Sequence, residues 1–233
     1  MAKYWFKWNG TQSTDKGIIM NAPTPIIKPE ERVTHVTIPG RSGELTLTEG
    51  DMIHQSYIQT VHIAVHEASA VPGVEKWLCG SGTVIFSSQP GLCQEARLIG
   101  AVELEKHSRN LDWWEGDVQF YCSPVKYDVN ETPITVTTSG TGISNPGDMT
   151  AYPLIEITGS GAVTVRCGGK LLTIPGCESG WVIDSEAEWI RSGNTPLGGV
   201  CSGEFPVLTP GANSIEFTGS ITQLLVTPRI RYL

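Results

Sequence analysis

Apolar and polar residues alternate with a period of two in two short segments, residues 33–38 and 44–48. This alternation is typical of β-strands, because successive side chains of a strand point to opposite faces. Between the two segments lies the sequence PGRSG at 39–43, whose proline and glycines favour a turn. The pattern therefore predicts a β-hairpin with a five-residue loop.

The rest of the N-terminal half predicts further strands and one helix. A third alternating segment, 57–65, carries on one face Val61, Ile63 and Val65. Residues 72–79 form the predicted helix, since Pro72 suits a first turn and Gly80 can end the last one. Its apolar stripe consists of Val74, Trp77 and Leu78. Further strands are predicted at 83–87, 97–106 and 117–122.

The C-terminal half is a succession of short strand-like runs separated by Gly, Pro, Ser or Asn. The predicted strands are 153–158, 162–167, 170–174, 181–184, 188–191, 214–218 and 223–227. This spacing is typical of an antiparallel β-sandwich, and no helix of three turns fits it. The polar stretch 137–147 is interpreted as the loop between the two halves. We therefore predict domains at 1–130 and 131–233 in an all-β chain.

The charge of the chain argues against one class of partner. The formal net charge is -8, and no run of Lys and Arg is present to neutralise phosphates, so specific binding of nucleic acid is not expected. No apolar stretch approaches the length of about 18 residues typical of a membrane span, so no membrane insertion is predicted. The N-terminal residues lack the apolar core of a signal peptide, so secretion is not expected.

Six cysteines lie at positions 79, 93, 122, 167, 177 and 201. No two of them have the Cys-x-x-Cys spacing of common zinc and redox sites. An even number is compatible with three disulfides, but the chain is rich in core-forming residues and lacks a secretion signal. We therefore favour reduced thiols that pack as small apolar side chains.

Three histidines are the first candidates for chemistry. His54, His62 and His66 share one parity, so a continuous strand would place them on one face, and His62 with His66 would form a metal-binding pair. That face lies opposite Val61 and Ile63, as expected of a strand with one side in solvent. We therefore favour solvated histidines and predict no metal site.

Alternating carboxylates are the second candidates, at Glu103 and Glu105 and at Asp184, Glu186 and Glu188. Paired carboxylates can hydrolyse glycosides, but the solvated face of a strand produces the same pattern. The nucleophile elbow Gly-x-Ser-x-Gly and the phosphate-binding loop are both absent from the sequence. We therefore predict no catalytic residue, no cofactor and no enzyme activity.

Several separated motifs of the chain resemble segments of one known protein family. In the N-terminal half they are FKWNG at 6–10, DKGIIM at 15–20, PEER at 29–32 and IPGRSG at 38–43. In the C-terminal half they are YPLIEI at 152–157, GEFPVLTPGAN at 203–213 and PRIRYL at 228–233. The sequence FYCSPVKY at 120–127 resembles the segment that joins the two domains in that family. Together these motifs resemble the distal tail (Dit) proteins of siphophages, because they occur in the same order as in that family and cover essentially the whole chain.

The resemblance implies both a fold and a function. It implies an N-terminal ring-forming β-sandwich with one short helix and a protruding hairpin, followed by a galectin-like β-sandwich. Six copies would close into a hub, singly or as back-to-back rings, at the tip of a long non-contractile tail. Its partners would be the tail tube protein and a tail-associated lysin or fibre protein, with a receptor-binding protein as a further candidate. The protein would be assembled in the host cytoplasm and reside in the virion.

The hairpin loop supplies the candidate subunit-contact residues, which are Pro39, Gly40, Arg41, Ser42 and Gly43. A carbohydrate-binding module that contacts host glycans is the alternative function, and a glycan hydrolase is a more distant one. Sugar sites often use an exposed aromatic side chain, and the only tryptophans of the C-terminal half are Trp181 and Trp189. Both lie in strand-like runs, so we favour core packing for them. Residues 131–233 leave no room for the inserted carbohydrate-binding modules of longer relatives.

Overall fold

The computed structural model describes residues 3–48, 53–107, 112–197 and 199–233. Its chain divides into two compact units, one up to Lys126 and the other Tyr127–Tyr232. Both units consist mainly of strands, and the described residues contain one short α-helix. The predicted all-β fold with a single short helix is therefore confirmed.

The first unit is a β-sheet domain with a separate hairpin. Its strands are β1 (Phe6–Trp8), β2 (Thr11–Gln12), β3 (Ile18–Ile19), β4 (Val33–Thr37), β5 (Glu44–Thr48), β6 (Tyr57–His66), β7 (Ser81–Phe86), β8 (Leu92–Ile99), β9 (Glu105–Lys106) and β10 (Trp113–Asp128). The main sheet has the order β2-β1-β7-β8-β10-β6-β3, and β9 also pairs with β10. Strands β4 and β5 form a two-stranded sheet of their own. The hairpin predicted from the alternating pattern is confirmed.

Aromatic side chains fill the core of the first unit. The Phe120 side chain is fully buried and meets three others edge-on, those of Phe6, Trp8 and Phe86. Helix α1 (Val71–Trp77) packs against this core. The helix ends at Trp77 rather than at residue 79, because Leu78 leaves the helical region with φ -81° and ψ 73°.

One predicted strand of the first unit was wrong. Residues 97–106 do not form a single strand, since β8 ends at Ile99 and β9 begins at Glu105. The first strand is interrupted at Gly100, whose φ of 73° is a left-handed conformation that glycine adopts without strain. The β-branched and charged residues on either side of Gly100 made the break hard to recognise.

The second unit is built around two long strands. Its strands are β11 (Ile134–Val136), β12 (Thr141–Asn145), β13 (Leu154–Cys167), β14 (Lys170–Cys177), β15 (Trp181–Asp184), β16 (Trp189–Ser192), β17 (Thr195–Pro196), β18 (Ser202–Gly203), β19 (Gly211–Thr227) and β20 (Arg231–Tyr232). Strand β13 pairs with β14, β15 and β19. Apolar side chains on one face of β13 and β19, including Ile155, Ile157 and Leu224, are fully buried in the core.

Two predictions for the second unit were wrong in the same way. The runs 153–158 and 162–167 are one strand, β13, and the runs 214–218 and 223–227 are one strand, β19. The pairing of β13 with β19 shifts register after Thr158 and after Ser160. The intervening glycines therefore mark β-bulges within continuous strands rather than turns between separate ones.

The polar stretch 137–147 was wrongly interpreted as a loop between the halves. It contains β12, which pairs with β19 inside the second unit. The side chain of Asn145 is buried and donates to the carbonyls of Met149 and Leu208 at 3.0 and 2.9 Å. Polar residues of this stretch are thus used for internal hydrogen bonds, which composition alone does not reveal.

The buried thiols lead to a prediction about reactivity. Burial raises the pKa of Cys122 to about 12 and that of Cys167 to about 11, and it also raises the pKa of Cys177. The thiolate is the reactive form, so at pH 8 these three should react with a thiol reagent only after unfolding, whereas exposed Cys79 should react at once. Labelling before and after anaerobic denaturation measures this. Rapid native labelling of Cys122 would contradict it, and fewer than six labelled thiols after denaturation would contradict the prediction of reduced cysteines.

Candidate functional site

The hairpin β4–β5 has two different faces. Val36 pairs across the strands with Leu45, and Thr34 pairs with Leu47, so these side chains share one face. Ile38 continues the same alternation beyond the end of β4. We call Val36, Ile38, Leu45 and Leu47 the apolar hairpin face.

The apolar hairpin face lies in solvent. Its four side chains retain between 36% and 47% of their accessible surface. An isolated two-stranded hairpin is only marginally stable in water, and four neighbouring large apolar side chains are costly to expose. This face therefore has the properties of a surface that is covered by another molecule.

The opposite face of the hairpin is polar. It carries His35, Thr37, Glu44 and Thr46, all of them exposed. The Nδ1 atom of His35 shares a hydrogen bond of 3.2 Å with the Thr46 hydroxyl and lies 3.8 Å from the Glu44 carboxylate. These contacts across the strands stabilise the hairpin without any neighbour, so the polar face is suited to remain in water.

The five candidate contact residues, Pro39 to Gly43, form the exposed tip of this hairpin. Gly40 and Gly43 have φ values of 81° and 84°, so the tight turn uses conformations that side chains disfavour. The Arg41 amide donates to the Ile38 carbonyl at 3.2 Å, which closes the turn. Arg41 is the only Lys or Arg between residues 33 and 48. A role for these five residues in subunit contacts remains a prediction.

The base of the hairpin is fixed by backbone hydrogen bonds. The Arg32 amide donates to the Ile53 carbonyl, and the Gln55 amide donates to the Glu30 carbonyl, both at 2.8 Å. Together with the bridge between Glu31 and His54, these bonds pair the segment just before β4 with residues 53–55.

A second exposed surface lies on the solvent side of the main sheet in the first unit. Ile58 of β6 and Tyr121 of β10 pair across the strands and are 49% and 47% exposed. Toward the start of β10, the same face continues with Gln119 and Asp117. We call this surface, from Ile58 and Tyr121 to Asp117, the outer sheet face. The sequence pattern placed His62 and His66 on this solvent side of β6, but the exposure of Ile58 and Tyr121 was not predicted.

One end of the outer sheet face is acidic. His62 accepts or donates a hydrogen bond of 2.9 Å with Asp117, and His107 lies 3.2 Å from Glu115. These residues line an open concavity whose other charged groups are Glu103, Glu105 and Lys106. Among the residues that the structure describes, four carboxylates and one lysine line this concavity, so acidic groups outnumber basic ones there.

The three candidate histidines do not form one group. His54 is buried, whereas His62 and His66 are exposed on β6. His62 contacts Asp117, and the His66 ring lies 4.1 Å from that of Trp113. Among the residues that the structure describes, no three His, Cys, Asp or Glu side chains are arranged to hold a metal ion.

The carboxylates of the second unit have a structural role. Strand β15 ends at Asp184, so Asp184, Glu186 and Glu188 do not alternate along a strand as predicted. Asp184 instead accepts hydrogen bonds from the amides of Glu186 and Ala187, and it also accepts two from the Arg229 guanidinium at 2.7 and 3.2 Å. Burial raises the pKa of Asp184, but these hydrogen bonds outweigh burial, and the pKa is lowered.

The two tryptophans of the second unit have different environments. Trp181 is buried in the core as predicted, but Trp189 is 41% exposed, so the prediction of core packing was wrong for Trp189. Trp189 begins β16 next to the turn after Asp184, where its strand partner is Asp184 itself. Position at a strand end, which alternation does not reveal, explains this exposure.

No helix among the described residues is long and apolar enough to cross a membrane.

No protein-family model and no curated protein matches the chain. Its fold is similar to the crystal structure of the Dit protein of phage SPP1, described as a paradigm of the hub adsorption apparatus in phages that infect Gram-positive bacteria. The TM-score is 0.76 at 17% sequence identity, and the match covers 99% of both chains. The resemblance inferred from the sequence motifs is thus confirmed at the level of the fold, which this chain shares with the Dit protein over its whole length.

Proposed function

We propose that the protein is a structural hub component at the tip of a long non-contractile phage tail. Six copies form a ring, singly or back to back, that links the tail tube to a tail-associated lysin or fibre protein and to host adsorption. It acts without catalysis and without a cofactor, and it resides in the virion. The observation that carries the proposal is the full-length fold match to a phage hub protein.

The hairpin supports the self-assembly part of this proposal. Its apolar face and its tip are exposed, although the rest of the first unit has a well-packed core. Association of copies would remove the apolar hairpin face from water, which favours association. We propose that residues 1–130 form the ring and that residues 131–233 project from it.

The hairpin gives a direct test of assembly. The parent protein should approach six times 25.2 kDa in light scattering at rising concentration. Leu45→Asp with Leu47→Asp places two charges in the apolar hairpin face and should shift the population to monomers. Circular dichroism should stay unchanged, since both side chains are exposed.

Thr48→Asp is the matched control, because it adds a charge to the polar face of the same strand. It should assemble like the parent protein. A parent protein that stays monomeric at every concentration and on isolated tail tubes would contradict the hub proposal. If rings persisted in the double variant, the apolar hairpin face would not form the contact between copies.

Glycan binding is a second candidate function, favoured by the exposure of Trp189. Its indole is available to stack on a sugar ring, and its strand partner Asp184 is held by Arg229. A glycan array probed with the parent protein and with Trp189→Ala tests this function. Binding that the substitution abolishes would support it, and an array without signal would exclude the glycans tested.

A further inference from the structure

We propose that the outer sheet face of one copy receives the hairpin of a neighbouring copy, with the apolar hairpin face on Ile58 and Tyr121 and Arg41 in the acidic concavity. This inference rests on the proposed function, since it assumes that copies associate through the hairpin. It adds the receiving surface, which the resemblance and the fold comparison do not identify. The occupant is a second copy of this chain.

Apolar and charged groups follow one another in the same order on the two surfaces. On the outer sheet face, Tyr121 and Asp117 are four residues apart along β10, a distance of about 13 Å at about 3.3 Å per residue. On the hairpin, Leu45 lies in β5 and Arg41 lies in the turn just before it, so the basic group is at the tip and the apolar groups are behind it. A hairpin laid along β10 with its apolar face toward Ile58 and Tyr121 therefore points its tip toward Asp117.

The charges of the two surfaces are complementary. Arg41 is the single Lys or Arg of the hairpin and lies at its exposed tip. Among the described residues, the concavity beside Asp117 holds three further carboxylates and one lysine. Arg is suited to this contact because its planar guanidinium binds carboxylates in a bidentate manner. The reverse orientation of the hairpin would place Arg41 at Tyr121 and leave the carboxylates without it.

The apolar parts match as well. Ile58 and Tyr121 are nearly half exposed and adjacent across two strands, and the four side chains of the apolar hairpin face are exposed to a similar degree. Covering each set with the other removes both from water. The hairpin and the outer sheet face are different surfaces of one chain, so the contact is head-to-tail, which is the type that closes rings of any order.

Cysteine cross-linking tests the contact directly. Two full-length variants, Ser42→Cys and Gln119→Cys, are prepared with Cys79→Ser to remove the exposed native thiol. Mixed and mildly oxidised, they should give a cross-linked heterodimer at least ten times faster than either variant alone. Ser42→Cys mixed with Glu75→Cys, an exposed position on α1, is the matched control and should stay at background.

Charge reversal supplies an independent measurement. Arg41→Asp and Asp117→Arg should each weaken self-association about tenfold or more, as measured for close charge pairs in other interfaces, and the double variant should recover most of the loss. Both side chains are exposed, so the fold should be retained. Glu216→Arg, an exposed site in the second unit with the same charge change as Asp117→Arg, should have no effect.

The outcomes separate this inference from the proposed function. Rings that form while the Ser42–Gln119 pair stays at background would overturn the receiving surface and leave the hub proposal standing. Rings that are insensitive to Asp117→Arg would do the same. Absence of both rings and cross-links would overturn the two together.

Discussion

Phe120→Ala is expected to lower the free energy of unfolding of the first unit by about 3–5 kcal/mol, the range for a large aromatic side chain removed from a core. Phe120 is fully buried. Its aromatic ring lies 5.4, 5.5 and 5.7 Å from those of Phe6, Trp8 and Phe86. The three neighbours come from β1 and β7, so the cavity left by alanine would loosen the contact of these strands with β10.

Urea denaturation followed by tryptophan fluorescence measures this effect. Tyr121→Ala is the matched control, because Tyr121 is the next residue on the same strand, points to the opposite face and is 47% exposed. It should change stability by less than about 1 kcal/mol. Equal losses of stability in the two variants would contradict a β10 strand in which Phe120 faces the core and Tyr121 faces solvent.

Asp184→Ala is expected to cost about 2–3 kcal/mol in the second unit. The substitution removes the acceptor of two hydrogen bonds from Arg229 and of two backbone amides, and bonds to charged groups contribute more than neutral ones. The Asp184 side chain is only 14% exposed, so water replaces these contacts poorly. Arg229 would also lose its main partner while remaining partly buried.

The control is an ion pair with a shorter distance and greater exposure. Lys170 lies 2.6 Å from Glu204, but their side chains are 41% and 66% exposed. Glu204→Ala should cost less than about 1 kcal/mol, since exposed pairs contribute little. Thermal denaturation of both variants compares them, and a larger loss for Glu204→Ala would show that distance outweighs burial here.

The contribution of Asp184 should also depend on pH in a defined direction. The pKa of Asp184 is lowered in the folded state, so its ionised form is stabilised by folding. The contribution is fully present above the ordinary pKa of an aspartate and is lost as the pH falls through the lowered value. The stability difference between parent protein and Asp184→Ala should therefore shrink in acid. A difference that is independent of pH down to full protonation would contradict the ion pair.

Local patterns in the sequence predicted those elements whose neighbours in the chain are also their neighbours in space. The hairpin, helix α1 and strand β15 are of this kind, because alternation, a proline and a turn define them. Long strands were predicted poorly. Glycines at 159, 161 and 219 suggested turns, whereas Gly159 lies where β13 and β19 approach so closely that a Cβ atom would be 2.5 Å from the Ser220 carbonyl oxygen.

The candidate site was predicted only in part. The loop 39–43 follows from its residues, and the alternation of β5 shows that Leu45 and Leu47 share a face. The sequence does not show whether another element covers that face, because coverage depends on the tertiary fold. The same limit applies to Trp189 and to the outer sheet face, whose exposure depends on distant strands.

The two-stranded sheet has a consequence for how the protein behaves before assembly. Among the residues described, β4 and β5 pair with each other and with no third strand. The backbone N–H and C=O groups at both outer edges can therefore pair with a strand of another molecule. Neither strand contains proline or lysine, which commonly protect such edges. Edge-to-edge addition of copies produces open-ended ribbons, which grow without limit. Assembly through the apolar hairpin face therefore competes with edge-to-edge addition of the same strands.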